Sequence, residues 1–249
     1  MAYENCFSAL YDVFTDDVNY AERAEYICRI LARNGISDGA ILDVACGTGS
    51  LSEEFLRKGF EVIANDISVS MLNIARDKLS AYGDKVLILC QDMCELDLFG
   101  TVDAAVCSLD SINHLLEEDD VKKCFDSVGK FINPGGIFIF DVNTPEKLRA
   151  MDAQVFLDED DDVYCVWRGE FNEETNICSY GMDLFQREGN LWRRSFEEHR
   201  EYAYSAGQLV GYLKKAGFTH IRVYGDRRME APAEGEQRIY IKARKGKIR

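Results

Sequence analysis

Basic side chains are in short supply in this chain. Against 44 aspartates and glutamates stand 29 lysines and arginines, a formal charge of −15 at pH 7 over 249 residues. Nucleic acid needs a basic face to meet its phosphates, so no nucleic-acid partner is expected. Histidine is rarer still, at three, and the nine cysteines (positions 6, 28, 46, 90, 94, 107, 124, 165 and 178) include no CxxC pair. Neither a zinc site nor a disulfide framework is suggested, no metal is expected, and most of the thiols read as buried and free. No apolar run approaches membrane length, and the first residues lack a basic region followed by an apolar one. Neither a membrane span nor a signal peptide is expected, which points to the cytoplasm. Internal repeats and low-complexity linkers are also missing.

What is present is a core-forming composition, 47% hydrophobic, in a length that suits one α/β domain over residues 1–249 with an insertion. The organising stretch is Ile41 to Gly49, Ile-Leu-Asp-Val-Ala-Cys-Gly-Thr-Gly, followed by Ser50-Leu51-Ser52-Glu53-Glu54-Phe55-Leu56. An apolar run too brief for a helix, then small residues and glycines, then helical spacing reads as buried strand, tight turn, helix. Gly47 and Gly49 permit backbone conformations barred to other residues and let a ligand approach the main chain. The free N–H groups of the following helix favour an anionic group. An acid should end the next strand to hold ribose hydroxyls, and Asp66 ends Gly59 to Asp66.

Two cofactor classes use such a corner. A dinucleotide site wants a third glycine three residues after the second, where this chain has Ser52. Asp43 followed by Ala45, Gly47 and Gly49 instead resembles motif I of the class I methyltransferases that use S-adenosylmethionine, with Ala45 replacing the first glycine. The resemblance extends to Asp66, to Asp92-Met93 after the strand Lys85 to Cys90, to the loop after strand four, to Pro134-Gly135-Gly136 and to the terminal strands. It implies an α/β, Rossmann-like fold: a seven-stranded, mostly parallel sheet with helices on both faces, the last strand antiparallel, plus a small antiparallel β insertion.

For the site, the resemblance implies that Asp66 binds the ribose and that Asp92 and Met93 clasp the adenine. Asp43, Ala45, Cys46, Gly47 and Gly49 would hold the amino-acid end, with Ile67 and Met71 beside the cofactor, and Ser108 and Leu109 by its methionine part. Tyr11, in a segment resembling an N-terminal flap, is placed to cap the ligand or to pin a loop to the core. Strand four, Val102 to Ser108, ends in Leu109-Asp110-Ser111-Ile112-Asn113-His114, where ligands of open α/β sheets gather. Asp110 and His114 are therefore the candidates for proton transfer or substrate contact, a packing histidine being the alternative. Asp141 and Asn143 leave strand five and are expected to face the acceptor.

From residue 145 to 204 the pattern changes to three strand-like segments, Val163 to Arg168, Asn176 to Arg187 and Leu191 to Tyr204, preceded by an acid run at Asp158 to Asp162. An inserted antiparallel sheet is expected, acting as a lid in the family it resembles. Its aromatics Tyr164, Trp167, Tyr180, Phe185, Trp192 and Phe196 line the lid or form that sheet's own core. Arg194, His199 or Arg200 would suit an acceptor bearing carboxylate or phosphate, surface salt bridging with the nearby acids being the alternative. The chain is expected to methylate a small molecule, with S-adenosyl-L-methionine as cofactor, as a monomer or homodimer. A cofactor-binding regulatory protein without catalysis and an NAD(P)-dependent oxidoreductase are the rival readings.

Overall fold

The computed structural model describes Ser8, residues 11–15 and residues 18–246. Short apolar runs in the first half become β1 (Ala40–Asp43), β2 (Glu61–Asp66), β3 (Val86–Cys90), β4 (Val102–Cys107) and β5 (Ile132–Asn143). The insertion supplies β6 (Val155–Asp160), β7 (Val163–Asn172), β8 (Ile177–Glu188) and β9 (Leu191–Tyr202), and the chain ends with β10 (Phe218–Gly225) and β11 (Arg238–Lys245). Between them lie α1 (Tyr11–Phe14), α2 (Tyr20–Arg33), α3 (Ser50–Arg57), α4 (Val69–Leu79), α5 (Glu118–Phe131), α6 (Pro145–Ala150) and α7 (Ala206–Lys215).

The main sheet has the order β10-β11-β5-β4-β1-β2-β3, with β11 antiparallel to both neighbours. Its strands alternate between two cores, as a period of two requires. Ile41 packs with Ile27, Leu31, Phe55 and Leu72 on the α2, α3 and α4 side. Leu42 packs with Val121, Phe125, Leu209 and Leu213 on the α5 and α7 side. Helix starts are fixed by side-chain caps: Ser68 accepts from Met71 N at 3.4 Å, and Ser205 and Gln208 form a reciprocal capping box.

Two boundaries differ from the sequence reading. β5 begins before the Asn-Pro-Gly-Gly turn, because Ile132 already pairs with Val102; the ladder then bulges until Ala104 meets Ile137. Gly136 permits the bulge, since a Cβ there would stand 2.6 Å from the Asp103 carbonyl oxygen. A fourth inserted strand, β6, starts at Val155 and ends within the acid run, giving the order β6-β7-β8-β9. All six of its residues are exposed, so no alternation announces it.

The inserted aromatics divide between two faces. Trp167 and Tyr180 turn toward the main domain, packing with Leu148, Phe171 and Cys178. Tyr164, Trp192 and Phe196 are exposed on the other face, so they are not the sheet's core. All eight described cysteines are free, five of them buried; Cys6 lies outside the described residues. Among the described residues no helix is long and apolar enough to cross a membrane.

Candidate active site

β1 and β4 are neighbours from which the chain winds outward in opposite directions, the point where open α/β sheets bind ligands. A cleft lies at their carboxyl ends. Its wall includes Asp43, Ala45, Cys46, Gly47, Asp66, Ile67, Met71, Asp92, Met93, Ser108, Leu109 and Tyr11, every expected cofactor residue except Gly49. Gly47 adopts φ 55° with nothing within 4 Å of a Cβ position, so its backbone is open to a ligand. Gly49 does a different job: a Cβ there would lie 3.1 Å from those of Ala75 and Leu79's side chain, so this glycine lets α3 close on α4.

Asp66 is fixed by backbone donors, its two oxygens accepting from Gly47 N and Ser68 N at 2.8 Å each. Burial pushes its carboxyl up, and those two N–H groups oppose the shift. Asp43 is 1% exposed, accepts from Ser52 Oγ at 2.6 Å, and is pushed up to about 7 by burial, the Ser52 bond opposing. Asn65, which nothing in the sequence signalled, is buried beneath the cleft, its amide donating to the carbonyls of Val44 and Gln91 at 2.9 and 3.1 Å. It ties the ends of β1 and β3 together across β2.

The loop after β4 is held in an unusual conformation. Leu109 and Asp110 have φ 57° and 52°, the left-handed region that side chains disfavour. Asp141 over-determines it, accepting from Ser108 Oγ at 2.7 Å and from Leu109 N at 3.0 Å while pairing with Arg238. Asp141 was expected to face the acceptor. It is instead fully buried and lines neither cavity, because these partners draw its carboxylate under the loop.

A second cavity opens beside the cleft. Tyr11, Leu109, His114 and His199 line both. The second is walled further by Asp110, Asn143, Lys147, Glu201 and Arg238, with Met151, Phe156, Trp167 and Tyr180 providing apolar surface. His114 closes a 3-10 turn, Ser111–His114, and its Nδ1 lies 3.1 Å from the Arg200 carbonyl oxygen. A carbonyl can only accept, so Nδ1 carries the proton and Nε2 the lone pair. Burial lowers the pKa of this imidazole, keeping it neutral. Arg200 thus enters through its main chain. Its side chain is exposed and lines neither cavity, because alternation along β9 sends it opposite to His199.

Carboxylates converge here as well. Glu201 accepts from Asn143 Nδ2 at 2.8 Å and is pushed up to about 8 by burial and by Asp110. Asp110 behaves oppositely: burial works upward, but Arg238, bonded at 2.5 Å, outweighs it and holds the carboxyl below its usual range. Lys147 donates to Asn143 Oδ1 at 2.9 Å and is lowered by burial and by Arg238. Ligand-type atoms of Asp110, His114 and Glu201 lie within 4.8 Å of one another. Cysteine and histidine spacing could not reveal this group, since its members come from a loop and a strand far apart in the chain. Glu201, Lys147 and Arg238 went unread for the same reason. The one available signal for Glu201 was parity with His199 on β9.

Comparison with known proteins agrees with this geometry. A family model described as a methyltransferase domain matches residues 41–136, from β1 to the Gly135-Gly136 turn. YqeM of Bacillus subtilis (strain 168), a methyltransferase by name, is 32% identical over 243 residues, 97% of this chain and 96% of that protein. A methyltransferase of Geobacillus sp. (strain WCH70), so named, is 30% identical over 98% of this chain and 100% of its own. The crystal structure of an S-adenosylmethionine-dependent methyltransferase from Clostridium acetobutylicum ATCC 824 superimposes with a TM-score of 0.87 at 31% identity, covering 97% of this chain and 98% of that one. Identity sustained over nearly the whole of both partners, on a matching fold, makes this chain a member of the S-adenosylmethionine-dependent methyltransferases.

Proposed function

We propose that the chain moves the methyl group of S-adenosylmethionine from the first cleft to a nucleophile on a small molecule held in the second cavity. The observation that carries this reading is the shared wall of Tyr11, Leu109, His114 and His199, across which donor and acceptor would meet. In the cleft, Asp66 takes the ribose hydroxyls, Asp92 and Met93 the adenine, and the turn Ala45-Cys46-Gly47, with Asp43 beneath it, the amino-acid end. A sulfonium is already activated for in-line displacement, so the protein's main contribution is alignment of nucleophile, methyl carbon and sulfur. His114, kept neutral by burial, stands at the junction of the two cavities beside the path of the incoming nucleophile. Asp110, committed to Arg238 and held as an anion, orients rather than removes protons. The inserted sheet, residues 145–204, serves as the lid over the acceptor.

Calorimetric titration tests the reading. S-adenosylmethionine and S-adenosylhomocysteine are expected to bind one per chain and NADH not at all. Asp66→Ala should weaken both sulfur ligands about 10- to 100-fold, the scale of a lost hydrogen bond to a charged group. Unchanged affinity in that variant would move the cofactor out of this cleft, and no affinity for either sulfur compound would defeat the reading.

A further inference from the structure

Glu201 is 5% exposed, yet among the described residues its carboxylate's only hydrogen bond is the one from Asn143 to Oε2. The cations nearby are engaged elsewhere. Arg238 bonds Asp110 and Asp141, and Lys147 Nζ bonds Asn143 Oδ1. Asp141, below the cavity, also has Arg23 at 3.6 Å. The cavity wall itself holds three carboxylates, Asp110, Asp158 and Glu201, against two cations, Lys147 and Arg238. Counted in their ionised forms, as a bound cation would hold them, these groups leave one negative charge over, and among the described residues Glu201 is the wall's buried carboxylate without a salt bridge.

On the methyl-transfer reading above, we propose that the acceptor is an amine on an apolar body, bound as its ammonium between Glu201 and Asp110 and deprotonated by Glu201 before attack. A single positive charge matches the surplus, whereas a carboxylate would meet three like charges and a divalent cation would over-compensate beside Lys147 and Arg238. Trp167, Tyr180, Phe156 and Met151 suit the apolar body. Glu201 is within reach of the transfer point, since its ligand-type oxygen lies within 4.8 Å of a ring nitrogen of His114, which lines both cavities.

The chemistry balances without a further reactant. One N–H proton passes to the Glu201 carboxylate, leaving a neutral amine. Its lone pair forms the N–C bond as the C–S bond breaks, and that bonding pair stays on sulfur as a neutral thioether. The product is a methylated ammonium. A carboxyl raised to about 8 is well matched to an ammonium proton near neutral pH and far too weak a base for an alcohol. The groups that set this acidity are Asp110 from the loop after β4, Asn143 from β5, Lys147 from α6 and Arg238 from β11, with His114 and Tyr180 also in the wall.

The test uses the full chain saturated with S-adenosylhomocysteine and three probes on one skeleton: benzylamine, benzyl alcohol and benzoate. Calorimetry at pH 7.5 should find benzylamine at least about tenfold tighter than the other two. Glu201→Gln should erase that margin while S-adenosylhomocysteine binds as before; if this variant loses that control affinity, Glu201→Asp, which keeps the charge and shortens its reach, must shrink the margin. An amine no tighter than the alcohol and benzoate, silence from all three included, overturns the proposal, as does a preference intact in the glutamine variant. Saturable one-to-one Mn2+ binding lost in Glu201→Gln would overturn it too, by assigning the trio to a divalent cation. Failure of S-adenosylhomocysteine to bind the unmodified chain is a separate result, which strikes at the methyl-transfer reading itself.

Discussion

Asp43 shows what a single buried carboxyl does to this protein. It holds its proton up to about pH 7 in the native state, against about 3.9 in an unfolded chain. Between those values the native state binds more protons, so stability falls as pH rises; the penalty is absent below about pH 4 and complete above about pH 7. A displacement of that size corresponds to about 4 kcal/mol at most. Asp43→Asn, which does not titrate, should therefore gain on the wild type as pH rises. Urea unfolding at pH 4.5 and pH 8 would measure the gap, and a gap that stays constant would refute the linkage. The same residue was picked out by resemblance to a family motif, whereas Gly47 and Asp66 followed from turn geometry and strand ends, which are local facts; all three line the first cleft. Gly49 was legible as a glycine but not by its purpose, since the side chains it admits, Ala75 and Leu79, belong to a helix more than twenty residues on.

At the scale of elements, a buried asparagine joins three segments. Asn113 is 0% exposed; its amide nitrogen donates to the carbonyls of Asn143 and Tyr202 at 3.1 and 3.0 Å, and its oxygen accepts from Asn143 N at 3.0 Å. The loop after β4, the end of β5 and the end of β9 thus meet on one side chain, which sets the insertion over the cavity. Asn113→Ala would strand the Asn143 carbonyl and N–H, each costing about 1–3 kcal/mol when buried, while the Tyr202 carbonyl keeps its bond from Tyr204 N at 3.0 Å. A loss of about 2 kcal/mol or more is expected, a Tm fall of about 4–8 °C for a chain of this size. Scanning calorimetry that found less than about 1 kcal/mol would mean that water reaches these groups. Strands and helices with a clear period were readable in advance; β6 was not, because an edge strand exposed on both faces has no period. The clasp was unreadable for another reason: Asn113 gains its meaning only when β9 arrives beside it.

Across the whole molecule, the turn that holds Tyr11 and Asp12 is tied to the centre of the fold. Asp12 Oδ1 accepts from Thr48 Oγ1 at 2.6 Å and from Ser50 Oγ at 3.3 Å, and its other oxygen accepts from Lys78 Nζ at 2.7 Å. Thr48 and Ser50 line the first cleft, and Tyr11, one residue before the latch, lines both cavities. If this turn encloses a ligand in the cleft, opening of the latch limits its release more than its capture. Asp12→Ala removes all these bonds, but the pair with Lys78 is partly exposed, with side chains 21% and 42% accessible, and its share is discounted for screening. We expect S-adenosylhomocysteine to dissociate about 5- to 10-fold faster from Asp12→Ala, with a smaller change in association, measured by stopped-flow fluorescence. Salt supplies the internal control. Because Lys78 and Asp12 form an ion pair at the surface, added salt should speed release from the wild type and leave the variant nearly unaffected. Equal dissociation rates for the two proteins at low salt would mean that the cofactor leaves by a path that does not cross Tyr11, and the N-terminal turn would then be a wall of the site rather than its door.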